Sequence, residues 1–200
     1  MPIVFPTSPT VGQVFTESGR SWVWSGSTWD SPSATNTLLA PYGLELVKSQ
    51  EVGVAVTSVT VTNAFGADYD NYRIVYSGTT TSNGEALRLR YGSTTTGYSG
   101  NMIYTSYAGS AVTAVADNNI SYHSHVGGGA AGRVNCTLEV FSPFLSVPTG
   151  TASLIYTDGA NGGSGRWFLN NSTSYTDFTL LVGSGTITGG TISVYGYRKA

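Results

Sequence analysis

The chain has 200 residues, a formal net charge of −2 and 10% charged residues, against the roughly 25% that is typical of soluble domains. This balance offers no basic surface for nucleic acid or an anionic membrane, and no apolar run approaches the roughly 18 residues of a membrane span. The length suits one medium-sized domain with a small additional module.

The first segment, residues 2–30, combines an extended opening with a predicted hairpin. Pro2, Pro6 and Pro9 keep the opening out of a central strand, because proline lacks the backbone N–H that a sheet requires. The turn Ser18-Gly-Arg20 then separates two strand-like stretches and predicts a β-hairpin.

Three tryptophans, Trp22, Trp24 and Trp29, follow this turn closely, and Trp22 and Trp24 fall on one face of the second strand. A hairpin this small cannot bury so much aromatic area on itself. The cluster therefore forms a mini-core, docks on a partner, or does both, since tryptophan is enriched where binding energy concentrates. We predict that these three side chains anchor the module.

Residues 31–41 are rich in Ser, Pro, Ala, Thr and Asn without periodicity, which predicts a linker. We therefore expect a Trp-rich attachment module with its linker over residues 1–40 and a main domain over residues 41–200.

From residue 42 onward, period-2 alternation recurs in short stretches with turn-forming residues between most of them, and no helical periodicity persists. So many short strands predict a jelly-roll-like β-sandwich. The predicted strands are Leu44–Ser49, Val54–Thr62, Tyr72–Ser77, Ala86–Tyr91, Met102–Tyr107, Asn119–Val126, Val134–Phe141, Thr151–Tyr156, Phe178–Val182 and Thr191–Tyr197. The glycine-rich runs 127–132 and 158–165 are predicted as loops.

The stretch 65–76 predicts a turn followed by a core strand, because Tyr72, Ile74 and Tyr76 alternate with polar or smaller neighbours.

Cys136 is the only cysteine, so the chain cannot form an intrachain disulfide. It lies on the apolar face of a predicted strand, which favours a small buried core residue.

Motifs of catalysis are absent from the sequence: it has no nucleophile elbow, no Walker loop and no His-Glu-x-x-His. A glycosidase on a sandwich fold, the enzymatic alternative, needs two carboxylates at a defined separation, whereas the eleven acidic residues are scattered and lie mostly in turns. The sequence predicts neither an enzyme nor a cofactor.

His123 and His125 are the two histidines of the chain, and alternate positions of a strand share a face. Two imidazoles can ligate one metal ion, and three such pairs around a trimer axis would suit an octahedral ion. The favoured interpretation is a polar strand face beside a glycine loop, so no metal site is predicted and the pair remains an alternative.

Many tyrosines fall near predicted loops, where amphipathic rings beside Asn, Ser and Gly form adaptable surfaces for sugars or proteins. The alternative, for about half of these positions, is a core tyrosine at a strand end. These positions are Tyr91, Tyr98, Tyr104, Tyr107, Tyr122, Tyr156 and Tyr175.

Several motifs resemble virion structural proteins of tailed bacteriophages, of the tail-fibre or minor structural type common in cyanophages. Pro6–Phe15 and Ser21–Trp29 resemble a short module found at the start of many phage fibre proteins. Val59–Phe65, Asp68–Val75 and Ile192–Arg198 are similar to a second phage virion domain.

The resemblance implies a β-sandwich, a homotrimer, and an N-terminal part that attaches to other virion proteins. We expect a tail-fibre or tail-tip protein that contacts a glycan or protein of the host surface, with no nucleic-acid binding and no membrane insertion. The alternative is a capsid decoration or head-fibre protein. Because the N-terminus lacks the pattern of a secretory signal, we expect a virion location after assembly in the host cytoplasm.

Overall fold

The computed structural model describes residues 3–31, 43–80, 86–130, 132–156 and 161–199. This described part contains β-strands and no helix, which confirms the predicted all-β class. The chain divides into two compact units, residues 1–42 and 43–200. The linker predicted over residues 31–41 lies outside the described residues from position 32 onward.

The first unit contains a three-stranded antiparallel sheet with the order β1 (Val14–Glu17), β2 (Arg20–Trp24) and β3 (Trp29–Asp30). Ser18 and Gly19 connect β1 to β2 with φ values of 52° and 74°, and a type I′ hairpin turn requires positive φ at both central residues. The predicted hairpin is confirmed, and β3 adds a short strand that was not predicted.

The second unit contains twelve strands in one hydrogen-bonded network. They are β4 (Leu44–Glu51), β5 (Ser58–Val61), β6 (Tyr69–Thr80), β7 (Leu87–Tyr91), β8 (Tyr98–Ser106), β9 (Val112–Ile120), β10 (His123–Ala130), β11 (Arg133–Phe141), β12 (Thr149–Tyr156), β13 (Asn161–Leu169), β14 (Phe178–Val182) and β15 (Ile187–Arg198).

These strands form two facing layers, which confirms the predicted β-sandwich. The large layer has the order β4-β15-β6-β11-β12-β13-β8-β9, and the small layer has the order β5-β14-β7-β10. Strand β10 pairs with β7 and with β11 and thereby joins the layers. The ring of Phe65 lies between them, 4.9 Å from Tyr72 of β6 and 5.6 Å from Phe178 of β14.

The sandwich core contains the side chains that the period-2 pattern predicts. Tyr72, Ile74 and Tyr76 are all buried. The Tyr72 hydroxyl accepts a hydrogen bond from the Gly66 N–H at 2.8 Å and donates one to the Gly66 carbonyl at 2.9 Å, so this stretch forms a corner of the framework. Cys136 is also buried as predicted, and burial raises the pKa of its thiol to about 12.

The prediction of a single strand over Asn119–Val126 is wrong. The chain turns at Ser121 and Tyr122, and β9 and β10 lie on either side of this turn. Strand β9 has no buried residue, because it lies at the edge of the large layer. Its sequence therefore lacks the apolar alternation that a core strand shows.

The prediction of loops at the glycine-rich runs 127–132 and 158–165 is wrong for the greater part of each described stretch, because β10 continues to Ala130 and β13 begins at Asn161. A side chain at Gly127 would place its Cβ 2.5 Å from the Cβ of Cys136 on the neighbouring β11. Glycine is required here for close approach between strands and not for a turn.

Glycines in β13 and β8 serve the same purpose under a large ring. Trp167 lies over Gly165 of its own strand and Gly100 of β8, and a Cβ at either glycine would overlap the indole. Small residues in two adjacent strands thus provide the space that the buried Trp167 occupies.

Candidate functional site

The predicted anchor residues of the first unit contact one another through an aromatic cluster, which we define as Phe5, Phe15, Trp22, Trp24 and Trp29. Phe5 lies at its centre, with its ring 5.4 Å from that of Trp29 in a stacked arrangement and 5.3 Å from that of Trp22 edge-on. Trp24 packs on Trp29 at 5.6 Å. The aromatic cluster is therefore the mini-core of this unit.

The aromatic cluster is only partly covered. All five rings are half-buried, and no residue of the described range 3–31 is fully buried. Three short strands cannot enclose rings of this size, and isolated sheets so small are marginally stable in water. The cluster thus leaves aromatic surface available to a partner.

Sequence reasoning identified the tryptophans and missed Phe5 and Phe15. Phe15 pairs directly with Trp22 across the hairpin, so the hairpin register of the prediction was sufficient to find it. Phe5 precedes Pro6 in the extended opening, and no periodicity marks it. Its position depends on the chain folding back over the sheet, which a local pattern does not reveal.

The two histidines of the alternative metal site have different surroundings, and the favoured interpretation as a polar strand face is wrong for His123. His123 is fully buried in the sandwich, with its ring centroid 4.9 Å from that of Tyr98 and 5.7 Å from that of Tyr91. Burial lowers the pKa of His123 to about 3. An imidazole enclosed in the core of one chain cannot meet its copies on a trimer axis, which disfavours the shared metal site.

His125 is half-buried, and the regular alternation between it and His123 is interrupted. His125 has a φ of 53°, and the pairing of β10 with β7 shifts its register over this segment. Burial lowers the pKa of His125, while the nearby Asp117 raises it. Across the described residues, no three His, Cys, Asp or Glu side chains gather closely enough to hold a metal ion.

His123 lies in an unusually polar part of the core, where β12 directs hydroxyl groups inward. Tyr91 and Thr151 share a hydrogen bond of 2.5 Å between their hydroxyls. Both imidazole nitrogens of His123 and the indole N–H of Trp167 have no hydrogen-bond partner among the described residues, and the same holds for the hydroxyl of Ser153. Because no hydrogen bond compensates for its lost hydration, charging the His123 imidazole is costly here.

The tyrosines that were predicted near loops differ in burial. Tyr91, Tyr98 and Tyr175 are buried, which assigns them to the core and not to a recognition surface. Tyr91 and Tyr98 lie at strand ends with their rings beside that of His123, and the Tyr175 ring packs on Tyr91 at 5.5 Å. Tyr107 is 61% exposed, Tyr104 and Tyr122 are half-buried, and the side chain of Tyr156 lies outside the described residues.

A shallow concavity of about 350 Å³ lies on the outer face of the large layer. We call it the outer-face concavity and define it by side chains of four neighbouring strands: Arg73 of β6, Thr137 and Glu139 of β11, Ala152 and Leu154 of β12, and Arg166 of β13. No catalytic or binding role was predicted for these residues. The available signal was the presence of charged residues at outward positions of core strands in a chain that has few charges.

The acidic residue of the outer-face concavity is fully engaged. Arg73 donates from Nε to Glu139 at 2.6 Å and from a terminal nitrogen to the same oxygen. Tyr197 donates its hydroxyl to the other Glu139 oxygen at 2.7 Å. The hydrogen bond with Glu139 raises the pKa of Arg73.

Arg166 is exposed and has no carboxylate partner within the described part of the chain. Its guanidinium donates a hydrogen bond to the carbonyl of the adjacent Gly165 at 3.0 Å. Exposed apolar side chains surround it on the same face, since Leu154 and Phe168 remain 69% and 44% exposed. The site is thus a cationic centre within an apolar surface.

Comparison with known proteins provides no match: no family model, no curated protein and no solved structure is significantly similar to this chain. The described residues also contain no helix that is long and apolar enough to cross a membrane.

Proposed function

We propose that this protein is a structural component of a tailed-phage virion, of the tail-fibre or tail-tip type. Its N-terminal unit attaches to other virion proteins, and its β-sandwich contacts a glycan or protein on the host surface. The proposal includes a homotrimer and requires no catalytic group. Its observational support is the half-covered aromatic cluster on a separate small unit, together with the phage-like motifs of the sequence.

The aromatic cluster supports attachment for an energetic reason. Burial of a half-exposed aromatic ring against a partner contributes free energy in proportion to the apolar area removed from water. Tryptophan is also among the residues that most often dominate binding energies at protein interfaces. Trp22, Trp24 and Trp29 together concentrate that contribution on a surface of a few strands.

A second candidate is a capsid decoration or head-fibre protein, and the outer face of the large layer favours it. Apolar side chains are exposed there on several strands: Leu46, Ile103, Phe141, Leu154 and Phe168. A broad apolar face is suited to lying flat against a protein shell. A copy number per particle that matches the capsid subunits, and not the tail tip, would favour this second role.

Deletion of residues 1–42 tests the attachment role directly, because the second unit has its own core. We expect the truncated protein to remain folded and soluble and to be absent from purified particles, with full-length protein present in a parallel preparation. Incorporation of the truncated protein at the normal level would overturn the proposed anchor.

A further inference from the structure

The outer-face concavity has a linear arrangement that follows from the sheet register. Arg73 pairs across the strands with Glu139, Glu139 with Ala152, and Ala152 with Arg166. Neighbouring strands lie about 4.8 Å apart, so Glu139 and Arg166 are separated by about 10 Å at their backbones. Because the side chain of Ala152 is only a methyl group, a depression remains between Glu139 and Arg166.

The charges in this row do not cancel. Arg73 and Glu139 neutralise each other, and the Tyr197 hydroxyl occupies the second Glu139 oxygen. Among the described residues, Arg166 forms no ion pair, so one positive charge remains at the edge of the depression. A guanidinium presents a planar fork of N–H donors that matches a carboxylate in a bidentate arrangement.

Apolar surface adjoins this charge on the same face. Leu154 lies two positions from Ala152 on β12, which places it about 7 Å along the strand, and it pairs directly with Thr137 of β11. Both residues line the depression. Phe168 lies two positions from Arg166 in the opposite direction, outside the depression. The exposed Leu154 side chain can pack against the apolar C–H face of a pyranose.

We propose that the outer-face concavity binds a carboxylate-bearing sugar unit, such as a uronic acid residue of an acidic polysaccharide. The Arg166 guanidinium donates two hydrogen bonds to the sugar carboxylate, and the sugar ring packs against Leu154. Thr137 provides a hydroxyl for a ring substituent. This inference deepens the proposed host-surface contact and rests on it.

The dimensions favour a saccharide over an acidic peptide. A volume of about 350 Å³ is at the lower end of the range for small-molecule sites and suits one or two pyranose rings. The single unpaired cation suits one carboxylate per site, whereas an acidic peptide would find one charge partner for several carboxylates.

Titration of full-length protein with trigalacturonic acid, followed by calorimetry at low ionic strength, tests the site. We expect binding of the acid, and a loss of at least about tenfold in affinity for its methyl ester, because esterification removes the charge that the guanidinium recognises. Arg166→Gln should weaken binding of the acid by a similar factor. The affinity of Arg166→Lys should lie between those of the unaltered protein and Arg166→Gln, because lysine keeps the positive charge but lacks the planar fork of donors.

Arg20→Gln is the matched control, since Arg20 is exposed in the other unit and the substitution changes net charge equally. This variant should bind the acid as the unaltered protein does. Equal binding of acid and ester, an equal loss in the Arg20→Gln and Arg166→Gln variants, or stronger binding of a poly-glutamate peptide than of the acid would each overturn the proposal. Self-association that Arg166→Gln abolishes, without sugar binding, would assign the face to a second copy of the chain and would also overturn it.

Failure of this inference is distinguishable from failure of the proposed function. Arg166→Gln should leave incorporation into particles unchanged, because attachment is assigned to the first unit. Particles that carry the variant normally while the purified protein ignores trigalacturonic acid would refute the sugar site alone. Absence of the unaltered protein from particles would refute the proposed function alone.

Discussion

The buried His123 should make the sandwich sensitive to acid. Burial lowers the pKa of His123 from 6.5 to about 3, so the unfolded chain takes up a proton before the folded chain does. The stability that depends on a neutral imidazole is therefore complete above about pH 7 and is lost as the pH falls through 6.5 toward 3. With 1.36 kcal/mol for each pKa unit, the loss between pH 7.5 and pH 5 is about 2 kcal/mol.

Urea unfolding of the unaltered protein and of His123→Phe, at pH 7.5 and pH 5, measures this contribution. The phenylalanine variant has no proton to gain, so its stability relative to the unaltered protein should rise by about 2 kcal/mol on moving to pH 5. Comparing the two proteins removes the contributions of other titrating groups, which both share.

His125→Phe is the matched control, because His125 is half-buried and Asp117 partly offsets the effect of burial on its pKa. Its pH-dependent difference should be smaller than that of His123→Phe. If the unaltered protein and His123→Phe lose the same stability between the two pH values, the assigned environment of His123 is wrong.

Two further substitutions test the strands and the aromatic cluster. Gly165→Ala should destabilise the sandwich by about 1–3 kcal/mol in thermal unfolding, because its methyl group must displace the Trp167 ring. The control Gly109→Ala places its methyl group in open space and should stay within about 0.5 kcal/mol of the unaltered protein. Equal destabilisation by the two substitutions would refute the packing of Trp167 over Gly165. Phe5→Ala should shift the tryptophan fluorescence to longer wavelengths and leave the unfolding of the second unit unchanged, since three of the four tryptophans lie in the first unit. The exposed Val4→Ala should show no such shift; a shift in both variants would contradict a central role of Phe5.

Periodicity predicted the core strands because one face of each is buried and the other is exposed. Tyr72, Ile74 and Tyr76 alternate in sequence as they do in the sandwich, and Cys136 follows the same rule on the adjacent strand. The pattern fails where burial does not alternate, as in the edge strand β9. It also fails in β13, where glycines that adjoin the Trp167 ring have the same appearance in sequence as glycines of a loop.

The candidate sites were predictable to different degrees. Tryptophan composition alone was sufficient to identify three rings of the aromatic cluster, whereas Phe5 reaches it through a long-range fold of the chain. The outer-face concavity depends on the order of β6, β11, β12 and β13 in the sheet. Strand order is a non-local property, so the proximity of Arg73, Glu139 and Arg166 has no signature in the sequence.

Quantitative peptide analysis of virions purified from the culture that produces this chain tests the proposed function most directly. We predict that peptides from both units co-purify with intact particles through density-gradient separation, in a fixed ratio to the tail proteins. Particles that are complete and infectious but lack this chain, with the protein remaining in the soluble lysate, would contradict a structural role in the virion.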